Sequence, residues 1–262
     1  EWGWLFCYAS FAGGVEGWIE AVDRALPQVK DAEQRSELLW SLGQMARFSG
    51  MLDKAWEAVE QKLQIDGEQG WEEELALDYF LQADILRERG QWDQALELLR
   101  EQALPVWRRL GEKREQSIIL GRIAEILWQQ GQLDEALCIL REEALPLHKE
   151  VGDEQDLAAA TANIAGILSE QGQWDGAIEI RRKEVLPVYE RLGDKLGLIT
   201  SRASLAFDIL ERGRPEDRPE AHALLCQALA EAERMKVAKM IDHILGIQQK
   251  YNLPSLAPKP PG

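Results

Sequence analysis

A period of 41 residues constrains the fold of this chain more than any other feature. A glycine opens a short polar turn at residues 90, 131, 172 and 213, and the differences between these numbers are 41, 41 and 41. Two other series keep the same step, and they are Pro105, Pro146 and Pro187, and Gly111, Gly152 and Gly193. Three landmarks in one register are typical of a protein built from stacked copies of one unit. Each unit of such a protein packs only on its neighbours, so chain length sets the number of units.

Each unit is predicted to consist of two helices, one before and one after the turn glycine. Apolar residues recur at helical spacing before the glycine, and the position seven residues before it is always small. The residues at that position are Gly43, Ala83, Ala124, Ala165 and Ala206. A small residue at one place in every unit predicts that two helices approach each other closely there.

The second helix of each unit has its own start, interruption and end. Asp53, Asp93, Asp134 and Asp175 follow the turn, where we expect each carboxylate to cap the helix and meet its positive end. The glycines at 111, 152 and 193 suit the left-handed residue that ends a helix. A Leu-Pro pair at 104–105, 145–146 and 186–187 falls inside the helix. Proline removes a hydrogen bond and clashes with the preceding turn, so we expect a kink, with a break and restart as the alternative.

The period divides the chain into five units with flanking segments. The units are residues 36–75, 76–116, 117–157, 158–198 and 199–234. Residues 1–35 are predicted to be a degenerate N-terminal repeat, residues 235–252 a capping helix, and residues 253–262 a proline-rich, disordered tail. The cap is predicted to bury one face that consists of Val237, Ile241, Ile244, Leu245 and Gln248.

The motif Gly172-Gln173-Trp174-Asp175-Gly176-Ala177 resembles the turn of the tetratricopeptide repeat. The 41-residue step resembles the longer variant, of 41–42 residues, found in kinesin light chains and in many bacterial signalling proteins. The resemblance covers residues 36–234 and, more weakly, 1–35. It implies an all-α fold, a right-handed α-solenoid (superhelix) of helix-turn-helix repeats. It also implies a concave groove, lined by the first helix of each unit, that takes a peptide or a helix from a partner protein.

Offsets of ten, six and three residues before the turn glycine place one stripe of side chains on that groove face. From this stripe and its neighbours we predict the binding residues Trp40, Gln44, Phe80, Asp84, Arg87, Arg122, Glu125, Trp128 and Asn163. Trp40 and Phe80 form an aromatic end, while Gly121, Ala162 and Gly166 form a hollow beside Trp128. The hypothesis is that a partner seats an apolar side chain in the hollow and meets the charges with its own. The alternative is that the three aromatic rings only pack within the array.

Composition excludes several other functions. The net charge of −16 argues against nucleic acid or an anionic membrane as the partner. Cys7, Cys138 and Cys226 form neither a disulfide framework nor a zinc site, which favours a cytoplasmic location. His148, His222 and His243 are isolated and are expected at the surface or near helix ends. We therefore expect no catalytic residue, no metal, no cofactor and no small-molecule substrate, and the chain is not predicted to be an enzyme.

Two functions remain open from the sequence. The first is a protein-interaction scaffold that acts through its groove. The second is the sensor or regulatory arm of a larger bacterial signalling or defence protein, an ATPase or a caspase-like protease, whose catalytic domain lies outside these residues. The absence of an initiator methionine and the tryptophan-rich start favour the second slightly. The partner is thus another protein or a segment of the chain's own full-length protein.

Overall fold

The computed structural model describes residues 14–255, and its regular structure consists of twelve helices. They are α1 (Gly14–Ala25), α2 (Ala32–Phe48), α3 (Leu52–Gln69), α4 (Glu72–Glu88), α5 (92–110), α6 (Lys113–Gln129), α7 (133–151), α8 (Glu154–Glu170), α9 (174–192), α10 (Lys195–Arg212), α11 (Arg218–Met235) and α12 (Ala238–Lys250). Short 3₁₀ turns at Leu26–Gln28 and Pro215–Asp217 complete it, and residues 14–255 contain no strand. Most of the predicted proline-rich tail, from 256 on, and Cys7 lie outside the described residues.

The helices alternate between first and second helices of a pair, as the period predicts. The first helices begin at residues 32, 72, 113, 154 and 195. Each start lies four residues before the predicted unit boundary. Aspartates fix three of these starts, because Asp31, Asp153 and Asp194 each accept a hydrogen bond from a backbone N–H in the first turn. The turn glycines and the glycines that end the second helices all have φ between +68° and +78°, as expected of left-handed residues.

The chain forms two compact units that are larger than the 41-residue repeats, a first unit of residues 1–126 and a second unit of residues 127–262. In the first unit, α2 packs on α3 and α3 packs on α4. The closest approach is at Gly43, where an added Cβ would lie 3.2 Å from Val59 Cγ2 and 3.3 Å from Leu81 Cδ2. The position seven residues before the turn glycine is therefore small because two neighbouring helices occupy the space of a side chain.

In the second unit, α10 packs on α11, and α12 packs on α11. Ile244 and Ile247 of α12 are buried in the same cluster as Ile209 and Leu225. Our assignment of Leu245 to the buried face is wrong, because its side chain is 41% exposed. The residue that packs inward is Ile247, which follows Ile244 by three positions and so lies on its face of the helix.

A π-helical turn precedes each Leu-Pro pair and carries the helix through the proline. The turns are Leu98–Ala103, Ile139–Ala144 and Arg181–Val185, and the flanking residues all have right-handed helical angles. A π turn holds one extra residue, which moves aside the carbonyl that the proline ring would otherwise strike. The alternative of a break with restart is therefore excluded for these three helices. Helix α3, which has no Leu-Pro pair, is α-helical throughout.

The expectation that the aspartates after the turns cap their helices is wrong for Asp53, Asp134 and Asp175, although all three lie in the first turn, at the positive end of the helix, as expected. Asp53, Asp134 and Asp175 lie one residue inside the helix, and the N-cap residues Met51, Gln132 and Gln173 make no side-chain cap bond. Each aspartate instead accepts a hydrogen bond from a side chain 36 or 37 residues ahead. The partners are Arg89 at 2.6 Å, Gln171 at 2.9 Å and Arg212 at 2.8 Å. These bonds join the start of a second helix to the end of the next first helix.

A buried ionic cluster joins α3 to α4 in the first unit. Lys62 Nζ lies 2.5 Å from Asp66, 2.8 Å from Glu74 and 2.9 Å from Asp78. Lys62, Asp66 and Asp78 are fully buried. Burial lowers the pKa of Lys62, but the hydrogen bond to Asp66 and the charge of Asp78 outweigh it and raise the pKa overall. Burial raises the pKa of Asp78 to about 8 against the opposing charge of Lys62. One ammonium thus faces three carboxylates, and Asp78 is the one that takes up a proton as the pH falls below about 8.

The Asp78→Asn variant tests this assignment. The native Asp78 keeps its proton up to about pH 8, whereas an unfolded aspartate loses it near pH ~4. The native state therefore binds more protons between these pH values, and the free energy of unfolding must fall as pH rises, with a limiting slope of ~1.4 kcal/mol per pH unit. Asparagine has no such proton, so the variant should show a flatter profile and greater stability than wild type at pH 9.

Urea unfolding from pH 5 to pH 9 measures this profile. The control is Glu73→Gln, which removes an exposed carboxylate from the same helix and should leave the slope unchanged. A wild-type slope that persists in Asp78→Asn would assign the proton to another group.

Candidate functional site

The predicted groove residues of the first unit meet in one ion-pair network around Asp84. This side chain is buried, with 3% of its surface exposed. Arg122 Nε lies 2.9 Å from Asp84, Arg47 Nη1 lies 3.5 Å away, and Arg87 Nε lies 3.6 Å away. Arg47 was left out of the predicted set although it lies three residues before Gly50, the same offset as Arg87 before Gly90. Equal offsets in two repeats were thus the signal that identifies it.

Two glutamates complete the network and balance its charge. Arg47 Nη1 is 2.6 Å from Glu88, and Arg122 Nη1 is 2.5 Å from Glu125. Three arginines therefore face three carboxylates, counting Asp84. The structure brings the predicted charges together but pairs them with one another. A charged partner would have to exchange with an existing ion pair rather than meet a free charge.

The two predicted aromatic residues of the first unit, Trp40 and Phe80, are half-buried and lie beside cations. Lys62 Nζ is 5.6 Å from the centroid of the Trp40 ring, and the Arg122 guanidinium is 5.6 Å from that of Phe80. Gln44 accepts a 3.4 Å hydrogen bond from Arg47. Trp40 also packs against the apolar cluster of α1–α4. Both rings have therefore a structural role and keep part of their surface exposed.

Removing Asp84 should cost far more stability than removing Glu125. The Asp84→Ala variant leaves three arginines around a buried site without their shared acceptor, which should lower the free energy of unfolding by about 3 kcal/mol. Glu125 is partly exposed, so Glu125→Ala should cost less than about 1 kcal/mol. Urea unfolding of both variants measures the difference. Equal losses would show that Asp84 is not the centre of the network.

The two predicted residues of the second unit line a cavity of about 420 Å³. Trp128, Asn163, Ala162 and Gly166 all belong to its wall. The Trp128 ring lies directly on Gly166, where an added Cβ would be 2.3 Å from ring atom Cη2. The predicted hollow beside Trp128 therefore exists, and the missing side chain of Gly166 makes room for the indole. Gly121, which we had assigned to the same hollow, belongs to the first unit.

A buried polar triad supports this cavity. Arg181, from the π turn of α9, donates from Nε to Asp208 at 2.7 Å and also lines the cavity. Asp208 accepts a second, short hydrogen bond from the Ser169 hydroxyl. The pKa of Asp208 is raised overall, because the effect of burial exceeds the opposing effects of Arg181 and Ser169. This triad was not predicted from the sequence. Comparing the repeats would have found it, because Arg181 stands nine residues after a turn glycine, where the preceding repeats have leucine.

Two glycine substitutions separate the indole contact from general helix effects. Gly166→Ala should displace Trp128, because the 2.3 Å contact leaves no space for a methyl group. Gly121 also lies inside a first helix, and no described atom lies within 4 Å of its added Cβ. Gly121→Ala should therefore stabilise the chain by up to about 1 kcal/mol through helix propensity.

Thermal unfolding and tryptophan fluorescence measure both effects. Gly166→Ala should lower Tm and shift the emission to longer wavelength as Trp128 becomes hydrated, and Gly121→Ala should raise Tm and leave the emission unchanged. A fluorescence spectrum of Gly166→Ala identical to that of wild type would contradict the packing of Trp128 on this helix.

Groups suited to catalysis or metal binding are scarce in residues 14–255. They contain no cluster of His, Cys, Asp and Glu that could hold a metal ion. His222 was predicted to be isolated, but its Nδ1 lies 3.8 Å from Cys226 Sγ, so that prediction is wrong. Burial raises the pKa of the Cys226 thiol, which is the reverse of what a nucleophilic cysteine needs. His148 is buried rather than at the surface, but it lies in the last turn of α7, near a helix end as expected, and burial lowers its pKa.

The described helices also do not cross a membrane. Within residues 14–255, the helices are either too short or too polar to span the apolar core of a bilayer.

The fold and its glycine-centred helix pairs define an all-α helical repeat of the solenoid type, which confirms the predicted fold class. The family model of the tetratricopeptide repeat matches residues 73–150. The predicted tetratricopeptide repeat is thus confirmed for that stretch, and the same helix pairing continues on either side of it. A comparison with curated proteins finds no significant match.

Three solved structures resemble the chain. Aspartyl phosphate phosphatase F from Bacillus subtilis is 16% identical, with a TM-score of 0.69 over 89% of this chain and 64% of that one. A signal transduction ATPase with a tetratricopeptide repeat sensor, from Pyrococcus horikoshii, is 14% identical, with a TM-score of 0.71 over 92% and 40%. NprR in complex with its cognate peptide NprX is 17% identical, with a TM-score of 0.69 over 94% and 70%. The chain thus spans less than two thirds of the first two, and the likeness concerns the fold.

Proposed function

We propose that this chain is a non-catalytic interaction scaffold that binds a peptide or a helix of a partner protein through the face of its first helices. The observation that carries the proposal is the cavity beside Trp128 in the second unit. It lies on the predicted binding face, and Gly166 keeps its wall free of a side chain that would displace the indole. Aromatic rings beside such openings are frequent anchors of protein interfaces. In the first unit, Trp40, Phe80 and the Asp84 network form the corresponding surface.

The resemblance to NprR supports a peptide as the ligand, since that protein was solved with its cognate peptide. The partner is another protein or a segment of the chain's own full-length protein. A net charge of −16 disfavours nucleic acid and anionic membrane surfaces. The proposal includes a cytoplasmic location, no cofactor, no metal and no small-molecule substrate.

A second candidate is a sensor or regulatory arm of a larger bacterial signalling or defence protein. The ATPase from Pyrococcus horikoshii supports it, because its repeat sensor is one part of a longer chain. The present chain corresponds to 40% of that protein. In this function the binding face is the same, and the bound segment controls a catalytic domain elsewhere in the full-length protein.

Capture of partners from a lysate of the source organism tests the binding face. The wild-type chain is compared with the triple variant Trp40→Ala, Phe80→Ala, Trp128→Ala, and circular dichroism verifies the helix content. The matched control is Met235→Ala, which removes an apolar side chain that is 41% exposed and lies outside the predicted site. We expect the control to retain the partner and the triple variant to lose it, with at least a tenfold weaker affinity by calorimetry, on the order of 1.4 kcal/mol. Equal retention by all three proteins would contradict the proposed face.

A further inference from the structure

The cavity in the second unit contains hydrogen-bond donors that the described residues leave unused. Arg181 is 6% exposed, and its Nε donates to Asp208. Within residues 14–255, its two terminal nitrogens have no hydrogen-bond partner, although the residue lines the cavity. Ser201 is 3% exposed, lines the same cavity, and its hydroxyl likewise has no partner in that range. These donors are not among the fully buried polar atoms that lack a partner, so they face the open cavity, where an acceptor that enters from outside can bind them.

The repeat itself does not require these polar residues. Arg181 corresponds to Leu99 and Leu140, nine residues after their turn glycines. Ser201 corresponds to Ile119 and Ala160, and Asp208 corresponds to Ile126 and Ile167. The other repeats therefore use apolar side chains at the positions of Arg181 and Asp208, whereas the position of Ser201 is also polar in one other repeat, where it is Asp78. Since a buried ion pair is seldom more stabilising than well-packed apolar residues, stability does not account for the exchange.

The charges around the cavity select a neutral acceptor. Asp208 already compensates the charge of Arg181 at 2.7 Å. The carboxylate of Asp194 also lines the cavity, and its Oδ1 accepts the backbone N–H of Gly197 at 2.9 Å. An entering carboxylate or phosphate would meet the carboxylate of Asp194 and a guanidinium whose charge Asp208 already compensates, and like charges at short range disfavour it. A carbonyl oxygen can take the unused hydrogen bonds without adding charge.

We propose that this cavity binds the primary carboxamide of a glutamine or asparagine side chain in the partner segment. The carboxamide oxygen accepts from Arg181 and Ser201. The carboxamide nitrogen donates to the acceptors of the same cavity, Asp194 and Asn163. The methylene groups of the side chain pack against Trp128 and Ala162. This inference rests on the proposed function, since it names the chemistry that the peptide presents at that face.

Selection from a displayed library of random peptides on the wild-type chain supplies the probes. The bound sequences should share a glutamine or asparagine at one position. One such peptide is then synthesised with blocked termini in three versions, with Gln, Glu or Leu at that position. We expect the Glu and the Leu versions each to bind roughly tenfold more weakly than the Gln version, because one adds a charge and the other leaves the donors unpaired.

The double variant Arg181→Leu, Asp208→Ile provides the matched control, because it restores the residues of the other repeats. It should fold and should lose the preference, so that the Leu version binds at least as tightly as the Gln version. Ser201→Ala, which matches Ala160, is the smaller change and should reduce the preference without removing it. Calorimetry measures the affinity of each peptide version for each protein variant. A variant that loses only the preference for Gln has lost a contact, whereas a variant that binds every version more weakly has lost folding.

The outcomes distinguish the inference from the function on which it rests. Selected peptides that bind equally with Gln, Glu and Leu, or that bind the double variant unchanged, would overturn the inference and leave the scaffold function standing. Tighter binding of the Glu version would identify an anion site instead. Failure to select any peptide, with both units folded, would contradict the scaffold function and the carboxamide site together.

Discussion

The close approach of neighbouring helices at one small residue per repeat is the contact on which the structure depends. At Gly43, side chains of α3 and α4 come within 3.3 Å of the place where a Cβ would stand. Ala83, Ala165 and Ala206 occupy the equivalent position and are fully buried. Because each repeat packs only on its neighbours, this contact sets the spacing of helices within each unit. That spacing also brings Asp53 and Asp175 within reach of side chains 36 or 37 residues ahead, from which they accept hydrogen bonds.

The repeats differ mainly where polar residues replace apolar ones in the interior. In the first unit, Lys62, Asp66 and Asp78 form a buried ionic cluster in α3 and α4. Asp78 stands where the later repeats have Ile119, Ala160 and Ser201. In the second unit, Arg181 and Asp208 form a buried pair where other repeats have leucine and isoleucine. Burying a charge costs free energy even when it is paired, so these positions are the places to look for function rather than for stability.

The sequence predicts the helix pairs and the left-handed glycines because both depend on local rules that repeat five times. It does not predict the π turns. Proline indicates only that an α-helical hydrogen bond is lost, and it does not indicate which backbone geometry accommodates that loss. The role of Asp53 was missed for a related reason: its partner Arg89 lies in the next repeat. Of the candidate site, the stripe before each glycine contained Trp128, Asn163 was added to the predicted set from a neighbouring position, and both line the cavity. The stripe did not reveal Arg181, which comes from a second helix and becomes conspicuous only when the repeats are compared.

The two units offer a partner different chemistry. Around Asp84, three arginines and three carboxylates already form ion pairs with one another, so a charged ligand must break an ion pair before it can form its own. The exposed parts of Trp40 and Phe80 supply apolar surface there without this cost. At the cavity of the second unit, the terminal nitrogens of Arg181 and the Ser201 hydroxyl have no acceptor among the described residues. A ligand group that cannot accept their hydrogen bonds leaves them unpaired. Discrimination between ligands should therefore reside in the second unit, because unpaired buried groups separate similar ligands more sharply than apolar contacts do.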